Sequence, residues 1–242
     1  MCDHWMPSLT LPLTPEQFRQ LPRHPAYRYE YLNGQAFLSP NARHFHALLD
    51  LDGQDREQTV PVRRVREEDF GPLAEVFAGA FHRTQPFAGL DDDTLLIAAQ
   101  ESLERTRSGR DGPWIAPASF VAEERQQLIG AILITLLPGG DLESWDSFYW
   151  DAPPPADAIE RRLGRPHLTW VFVAPLRAGQ GVGSALLGAA VRELGALGFS
   201  QLVSTFMLGN DSSILWHWRN GFRLLSHPGS LRRLRARGRG HA

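Results

Sequence analysis

Residues 167–184 read HLTWVFVAPLRAGQGVGS, an apolar β-type run followed by three glycines at alternate positions and the start of a helix-forming stretch. A strand, a bare turn and a helix in that order bring unpaired backbone N–H groups and the positive end of a helix dipole to one point, which suits phosphate oxygens. The plain alternative is a tight strand-to-helix connection with no ligand. Spacing narrows the choice of ligand. Gly179-x-Gly181-x-Gly183 is not the G-x-G-x-x-G of dinucleotide folds, and no acid ends the next strand, QLVSTFM at 201–207, to hold a ribose. A nucleoside-triphosphate loop needs Gly-Lys-Ser/Thr, and all 25 basic residues of the chain are arginine. The same absence excludes lysine Schiff-base chemistry. What remains is a pyrophosphate-bearing cofactor bound near the end of a mixed sheet.

Around this motif strands and helices alternate. VPVRRV at 60–65 reads as a strand, and after Asp69 and Pro72 the apolar residues Leu73, Val76, Phe77, Ala80 and Phe81 recur at helical spacing. A second helix is predicted over 91–107, opened by Asp91, Asp92 and Asp93 at the positive end of its dipole. Two antiparallel strands follow at 118–123 and 128–136. Residues 141–166, with three consecutive prolines and no clean period, read as a long loop. A strand at 167–173, a helix to about Leu197, a strand at 201–207, a helix at 211–220 and a terminal hairpin around HPGS complete the pattern. Residues 1–58 differ, being punctuated by proline and carrying Asn33-Gly34 between two short runs. That is a hairpin signal, because a type I′ turn needs positive φ at both central residues. The expected organisation is an N-terminal extension with a β-hairpin over 1–58, one domain over 59–236 and a basic tail at 237–242.

Composition excludes several roles. A formal net charge of −2 with 43% hydrophobic residues describes an ordinary soluble protein rather than a membrane or nucleic-acid binder. The longest apolar stretch, LIGAILITLL at 128–137, is half the roughly 20 residues that a membrane span needs. No basic start followed by an apolar run marks an export signal. The single cysteine, Cys2, rules out an internal disulfide and a thiolate zinc cluster, so a cytoplasmic setting is expected.

Downstream of the glycine turn, one helix and one strand later, comes NDSSILWHWRNGF at 210–222. The two motifs in this order resemble the GNAT superfamily of acyl-CoA-dependent N-acetyltransferases, over roughly residues 60–235. The resemblance implies an α/β (α+β) fold: a mixed, mostly antiparallel sheet with a splayed parallel pair and helices on both faces. It implies acetyl-CoA as co-substrate. Val171, Phe172 and Val173 would pair their backbone with the pantetheine arm. Arg177, Ala178, Gly179, Gln180, Gly181, Val182, Gly183 and Ser184 would form the pyrophosphate cradle. Asn210 would bind pantetheine or cap the next helix. Two positions depart from the family pattern: Ala178 stands where Gln or Arg is usual, and His217 where many members carry a general-acid tyrosine.

A protonated imidazole at His217 could give a proton to the leaving thiolate, since its ordinary pKa near 6.5 suits neutral pH. The other reading of His217 is a helix-packing residue. His167 and Thr169 alternate onto one face with Val171 and Val173, which makes them candidate base or water holder. The acceptor is expected to be a small-molecule or peptide amine. Asp141, Glu143, Asp146 and Asp151, with Trp145, Phe148, Tyr149 and Trp150, could enclose a cation by charge and ring faces. His44-x-His46 with Asp50 has metal-ligand spacing but no accompanying ligand cluster, so no metal is expected. Arg232, Arg233, Arg235, Arg237 and Arg239 form a basic run that reads as solvated rather than as a nucleic-acid site. The function expected is N-acetyl transfer from acetyl-CoA to an amine by direct attack in a ternary complex; the alternative is a non-catalytic acyl-CoA-binding module.

Overall fold

A strand as uniformly apolar as LIGAILITLL needs cover on both faces. The computed structural model describes residues 9–23, 27–40, 44–53, 60–140, 150–207 and 210–225. Its elements are β1 (Leu9–Leu11), α1 (Pro15–Gln20), β2 (Tyr27–Leu32), β3 (Gln35–Pro40), β4 (His44–Asp50), β5 (Val62–Arg64), α2 (Phe70–Phe81) and α3 (Asp92–Arg107). There follow β6 (Phe120–Glu124), β7 (Gln127–Pro138), β8 (Gly164–Val173), α4 (Val182–Ala196), β9 (Gln201–Met207), α5 (Asp211–Arg219) and β10 (Arg223–Leu224). The main sheet has seven strands in the order β10-β4-β9-β8-β7-β6-β5, antiparallel except between β8 and β9. The apolar run lies in β7. There Ala131 and Leu133 pack with α2 and α3 on one face, while Ile132, Ile134 and Leu136 pack with α4 on the other. The mixed sheet and the helices on both faces agree with the expected architecture.

Local chemistry explains the helix and turn positions. Asp91 caps α3 by accepting the Thr94 N–H at 2.8 Å. Arg125 and Gln126, both at positive φ, make the two-residue turn between β6 and β7. Asp69 is not a free helix cap: it takes two bonds from the Arg63 guanidinium and one from the Arg66 amide, which ties β5 to the start of α2.

The parallel pair decides where a ligand can enter. β8 and β9 share only two register positions, His167↔Val203 and Leu168↔Ser204, and diverge beyond them. Divergence coincides with a bulge. On β7 the neighbours Leu133 and Ile134 face Trp170 and Leu168, so Thr169 is an extra residue with no partner in the register. A bulge bends its strand and resets the alternation of side chains. Trp170 and Phe172 therefore join the α2/α3 face, while Val171 and Val173 pack toward α4. The expectation that His167 and Thr169 share a face with Val171 and Val173 fails for this reason.

Asn33 and Gly34 have φ of 50° and 78°, and they join β2 to β3 as a hairpin that β1 extends to a three-stranded sheet. The N-terminal region also reaches further. β4 enters the main sheet between β9 and β10, pairing antiparallel with β9 along its full length. Residues 44–50, read from sequence as part of an appendage, are thus a strand of the main sheet. Their alternation fits the place: Ala47 and Leu49 join the α4-side core, and His46 and Leu48 point the opposite way. The expected hairpin around HPGS lies outside the described residues.

Candidate active site

The glycine turn begins where β8 leaves the sheet. Ala174 donates its N–H to Ile129 O, a short 3-10 turn spans Pro175–Arg177, and α4 opens at Val182. Each of the three glycines has its own cause. Gly179 (φ +76°) and Gly181 (φ +83°) take left-handed conformations that other residues adopt only with strain. Gly183 is needed for packing instead, because a Cβ there would lie 2.9 Å from the indole nitrogen of Trp216. No side chain caps α4. The amides of Gly179, Gly181, Val182, Gly183 and Ser184 have no acceptor among the described residues. Gly179 and Gly181 are exposed and Ser184 is half-buried, at the positive end of a four-turn helix, while Val182 and Gly183 are buried.

Side chains around the turn are already engaged. The Arg177 guanidinium reaches Glu124 on β6, with Nε at 2.7 Å and a terminal nitrogen at 2.5 Å from the same oxygen. Gln180 Nε2 donates to Leu176 O. Ala178 offers no donor. Asn210 caps α5 through its Oδ1, which accepts from the Ser213 N–H and the Ser212 hydroxyl, and its amide nitrogen has no partner among the described residues. What the turn offers to an anion is therefore backbone.

Its wall is α5, and here His217 departs from the expected general acid. The residue is only 3% exposed, among the rings of Phe206, Trp216 and Phe222. Its Nδ1 lies 2.7 Å from Ser213 O, and a carbonyl only accepts, so the proton is on Nδ1; Nε2 then accepts the Ser204 hydroxyl at 2.7 Å. Burial pushes its pKa down to about 4, against a small upward pull from the Ser213 carbonyl. A neutral imidazole with both nitrogens occupied is a packing residue, not a proton donor at neutral pH.

On the opposite face of the sheet lies a row of polar groups. Thr135 Oγ1 is 2.8 Å from Thr169 Oγ1, which is 3.1 Å from His167 Nδ1. His167 Nε2 is 3.1 Å from Thr205 Oγ1, and that hydroxyl is 3.1 Å from His46 Nδ1. Thr135 and His46 are buried, whereas Thr169, His167 and Thr205 reach solvent in part. Burial of the ring, followed by repulsion from His46 and His217, pushes His167 down to about 3. His167 and Thr169 are thus brought together at the bulge, as a side-chain pair at the mouth of the splay. Thr135 and Thr205 were missed in the sequence, although hydroxyls inside the apolar runs LIGAILITLL and QLVSTFM are a legible signal, and His46 was read there only with His44 and Asp50 as a metal-like spacing.

Other expected residues divide. Residues 141–149, including Asp141, Glu143, Asp146, Trp145, Phe148 and Tyr149, lie outside the described residues. Trp150 is a wall: its indole N–H donates to Leu136 O and its ring packs against the α4-side core. Asp151 is exposed. Asp50 accepts from Gln201 rather than joining His46 at a metal, and among the described residues no three His, Cys, Asp or Glu side chains could hold a metal ion. Among the described residues no helix is long and apolar enough to cross a membrane.

Comparison with known proteins adds a family. A model described as the acetyltransferase (GNAT) family matches residues 87–222, more than half of the chain. No curated protein matches it. Among solved structures, a GNAT family acetyltransferase from Brucella melitensis in complex with acetyl-CoA is 22% identical. That match covers 70% of this chain and 89% of the other, with a TM-score of 0.45. The PaiA N-acetyltransferase from Thermoplasma acidophilum, in complex with coenzyme A, is 16% identical; the match covers 68% of this chain and 90% of the other, with a TM-score of 0.46.

Proposed function

Since the chain belongs to the acetyltransferase (GNAT) family, we propose that it transfers an acetyl group from acetyl-CoA to an amine by direct attack in a ternary complex. The observation that carries this reading is the set of amides at Gly179 and Gly181–Ser184 with no acceptor among the described residues, at the turn that follows the parting of β8 from β9. They fit a pyrophosphate, which needs several converging donors and tolerates no intervening side chain. Val171–Val173, on the β8 segment that has lost its parallel neighbour, leave backbone groups on that edge for the pantetheine arm, and the Asn210 amide is the side chain assigned to it. Residues 59–236 are the transferase domain in this reading, and 1–58 are an extension that lends β4 to its sheet.

In the reaction a nitrogen–carbon bond forms, a carbon–sulfur bond breaks and the nitrogen loses a proton. Thr169, at the bulge, and His167 behind it are the groups assigned to that proton, Thr169 directly or by holding a water. Because an ordinary thiol titrates at about 8.5, the leaving thiolate can take a proton from water near pH 7 without a dedicated acid. This removes the need for His217 in the chemistry. The acceptor is a small-molecule or peptide amine gathered beside the 141–166 segment.

A second reading has one observation in its favour: with His217 fastened to Ser204 and Ser213, a dedicated acid is missing, as in a module that binds acyl-CoA without using it. Thermal-shift titration with acetyl-CoA, followed by assay of thiol release over an amine panel, separates the two. Stabilisation with thiol release is expected. Stabilisation without release from any amine leaves the binding module, and absence of stabilisation by any acyl-CoA removes both.

A further inference from the structure

Among the described residues, Trp114, Trp150, Trp170 and Trp216 are half-buried, and all but one give the indole N–H to an acceptor. Trp114 donates to Ser119 Oγ at 2.9 Å, Trp150 to Leu136 O at 3.0 Å and Trp170 to Thr106 Oγ1 at 3.1 Å. Trp216 is the exception: its Nε1 has no acceptor among the described residues, and that nitrogen is not sealed from solvent. An indole N–H donates only, and a partly buried one usually finds a partner. The place of this nitrogen gives it a use. A Cβ on Gly183 would meet Trp216 Nε1 at 2.9 Å, Cε2 at 3.5 Å and Cδ1 at 3.7 Å. The corner of the ring that carries the N–H is therefore the part set against α4. Cα–Cβ bonds tilt toward the N-terminal end of a helix, and Gly183 is the second residue of α4. Nε1 thus lies beside the first turn, where the amides of Gly181–Ser184 also lack acceptors among the described residues. The ring is fixed there, packed against the α4-side core and edge-on to His217.

We propose that Trp216 is a cofactor-binding residue, whose indole N–H donates to a pyrophosphate oxygen of acetyl-CoA and supplies the side-chain contact that the turn lacks at Ala178. The inference rests on the reading of the turn as the acetyl-CoA seat. An indole suits the position for two reasons. It cannot accept, so it does not compete with the phosphate for the neighbouring amides. It is also uncharged, so it needs no carboxylate partner, whereas the Arg177 guanidinium is bound to Glu124. Its bond to an anion is charge-assisted and stronger than one between neutral groups. Gly183 then serves the ligand indirectly: without a Cβ it admits the indole to the first turn of α4, and α5 contributes a donor to a site that is otherwise backbone.

The test uses the full chain and probes that differ in their phosphates. Coenzyme A has them all, dephospho-coenzyme A keeps the pyrophosphate and lacks the 3′-phosphate, and S-acetylpantetheine has none. Trp216→Phe keeps a ring against the core and removes the N–H. By titration calorimetry its Kd for coenzyme A and for dephospho-coenzyme A should rise about tenfold, as for loss of one hydrogen bond to a charged group. Its Kd for S-acetylpantetheine should match that of wild type. Wild-type affinity for coenzyme A in the variant, or an equal loss with S-acetylpantetheine, overturns the assignment and leaves Trp216 a packing residue. The wild-type protein gives a second readout in the indole N–H resonance of Trp216, which dephospho-coenzyme A should move downfield and S-acetylpantetheine should not. If Trp216→Phe does not fold, that resonance, assigned through the backbone, decides. A resonance unmoved by saturating dephospho-coenzyme A overturns this inference alone. A wild-type chain that binds neither coenzyme A nor dephospho-coenzyme A overturns the reading of the turn itself.

Discussion

His167 and His217 are both held well below their ordinary pKa by burial, at about 3 and about 4, and they lie on opposite faces of the splayed pair. Their partners differ. His217 is fastened at one end to the carbonyl of Ser213, which fixes the tautomer, and its other nitrogen accepts from Ser204. His167 has a hydroxyl at each nitrogen, and each hydroxyl can turn. Two residues with the same titration behaviour therefore have different capacities: one is a plug in an aromatic wall, the other a link in a chain. A shifted pKa marks burial in both; the partner decides whether a proton can pass.

Substituting the two in turn is the severest way to break this contrast. His167→Gln keeps polar contacts to Thr169 and Thr205 but carries no proton, and it should lower kcat for acetyl transfer by about a hundredfold while the melting temperature changes little. His217→Phe should do the reverse. It fills the volume among Phe206, Trp216 and Phe222 but leaves the buried Ser204 hydroxyl without its acceptor, at a cost of about 1–3 kcal/mol. Its kcat per folded molecule should equal that of wild type. A large loss of kcat in His217→Phe with stability preserved would reinstate the general acid.

Titration sharpens the same comparison from the side of stability. Unfolded imidazoles bind protons below about 6.5, whereas folded His217 does so only below about 4 and folded His167 below about 3. Between those limits the unfolded chain takes up more protons, so stability is fully present above pH 6.5 and is lost as pH falls toward 4. For His217 alone the loss by pH 5 is about 2 kcal/mol. Chemical denaturation at pH 7 and pH 5 measures it, and His217→Phe should show a smaller difference than wild type. Equal pH sensitivity in the two proteins would mean that His217 is not held neutral by the fold.

The two regions also differed in how far the sequence revealed them. The glycine turn could be read because it is local: a strand, Gly179, Gly181 and a helix within about fifteen residues specify amides that end without acceptors among the described residues. The alternation of helices and strands from residue 60 was equally local, and so was the Asn33-Gly34 turn. The polar row depends on register between strands far apart in the chain, and on one extra residue. Two-residue alternation put His167 with Val171, and the bulge at Thr169 reversed the faces beyond it. The run HFHALLD at 44–50 carries strand-like alternation, yet a pair of histidines two residues apart suggests a metal as readily as a strand. Only the pairing with β9 showed His46 against Thr205. Gly183 was assigned to ligand approach, whereas the constraint on it is Trp216, thirty-three positions away.

Commitment to an existing partner should also decide the smallest effect, at Arg177. Its guanidinium is bound to Glu124, with the two side chains 38% and 42% exposed, and a pair so open to water contributes about 0–1 kcal/mol. Breaking the pair should therefore cost the fold little. If the anion seat is made of backbone, Arg177→Ala leaves acetyl-CoA affinity nearly unchanged, because the side chain it removes was already engaged. Glu124→Gln acts in the opposite sense: it removes a negative charge beside the turn and frees a cation to face the pyrophosphate. Affinity should rise by a few-fold, and the gain should shrink as salt is added, since exposed charges are screened over about 8–10 Å at physiological ionic strength. Titration calorimetry with coenzyme A at two salt concentrations distinguishes the outcomes. A large loss in Arg177→Ala would mean that the arginine leaves Glu124 for the ligand, and that the seat is built by a side chain after all.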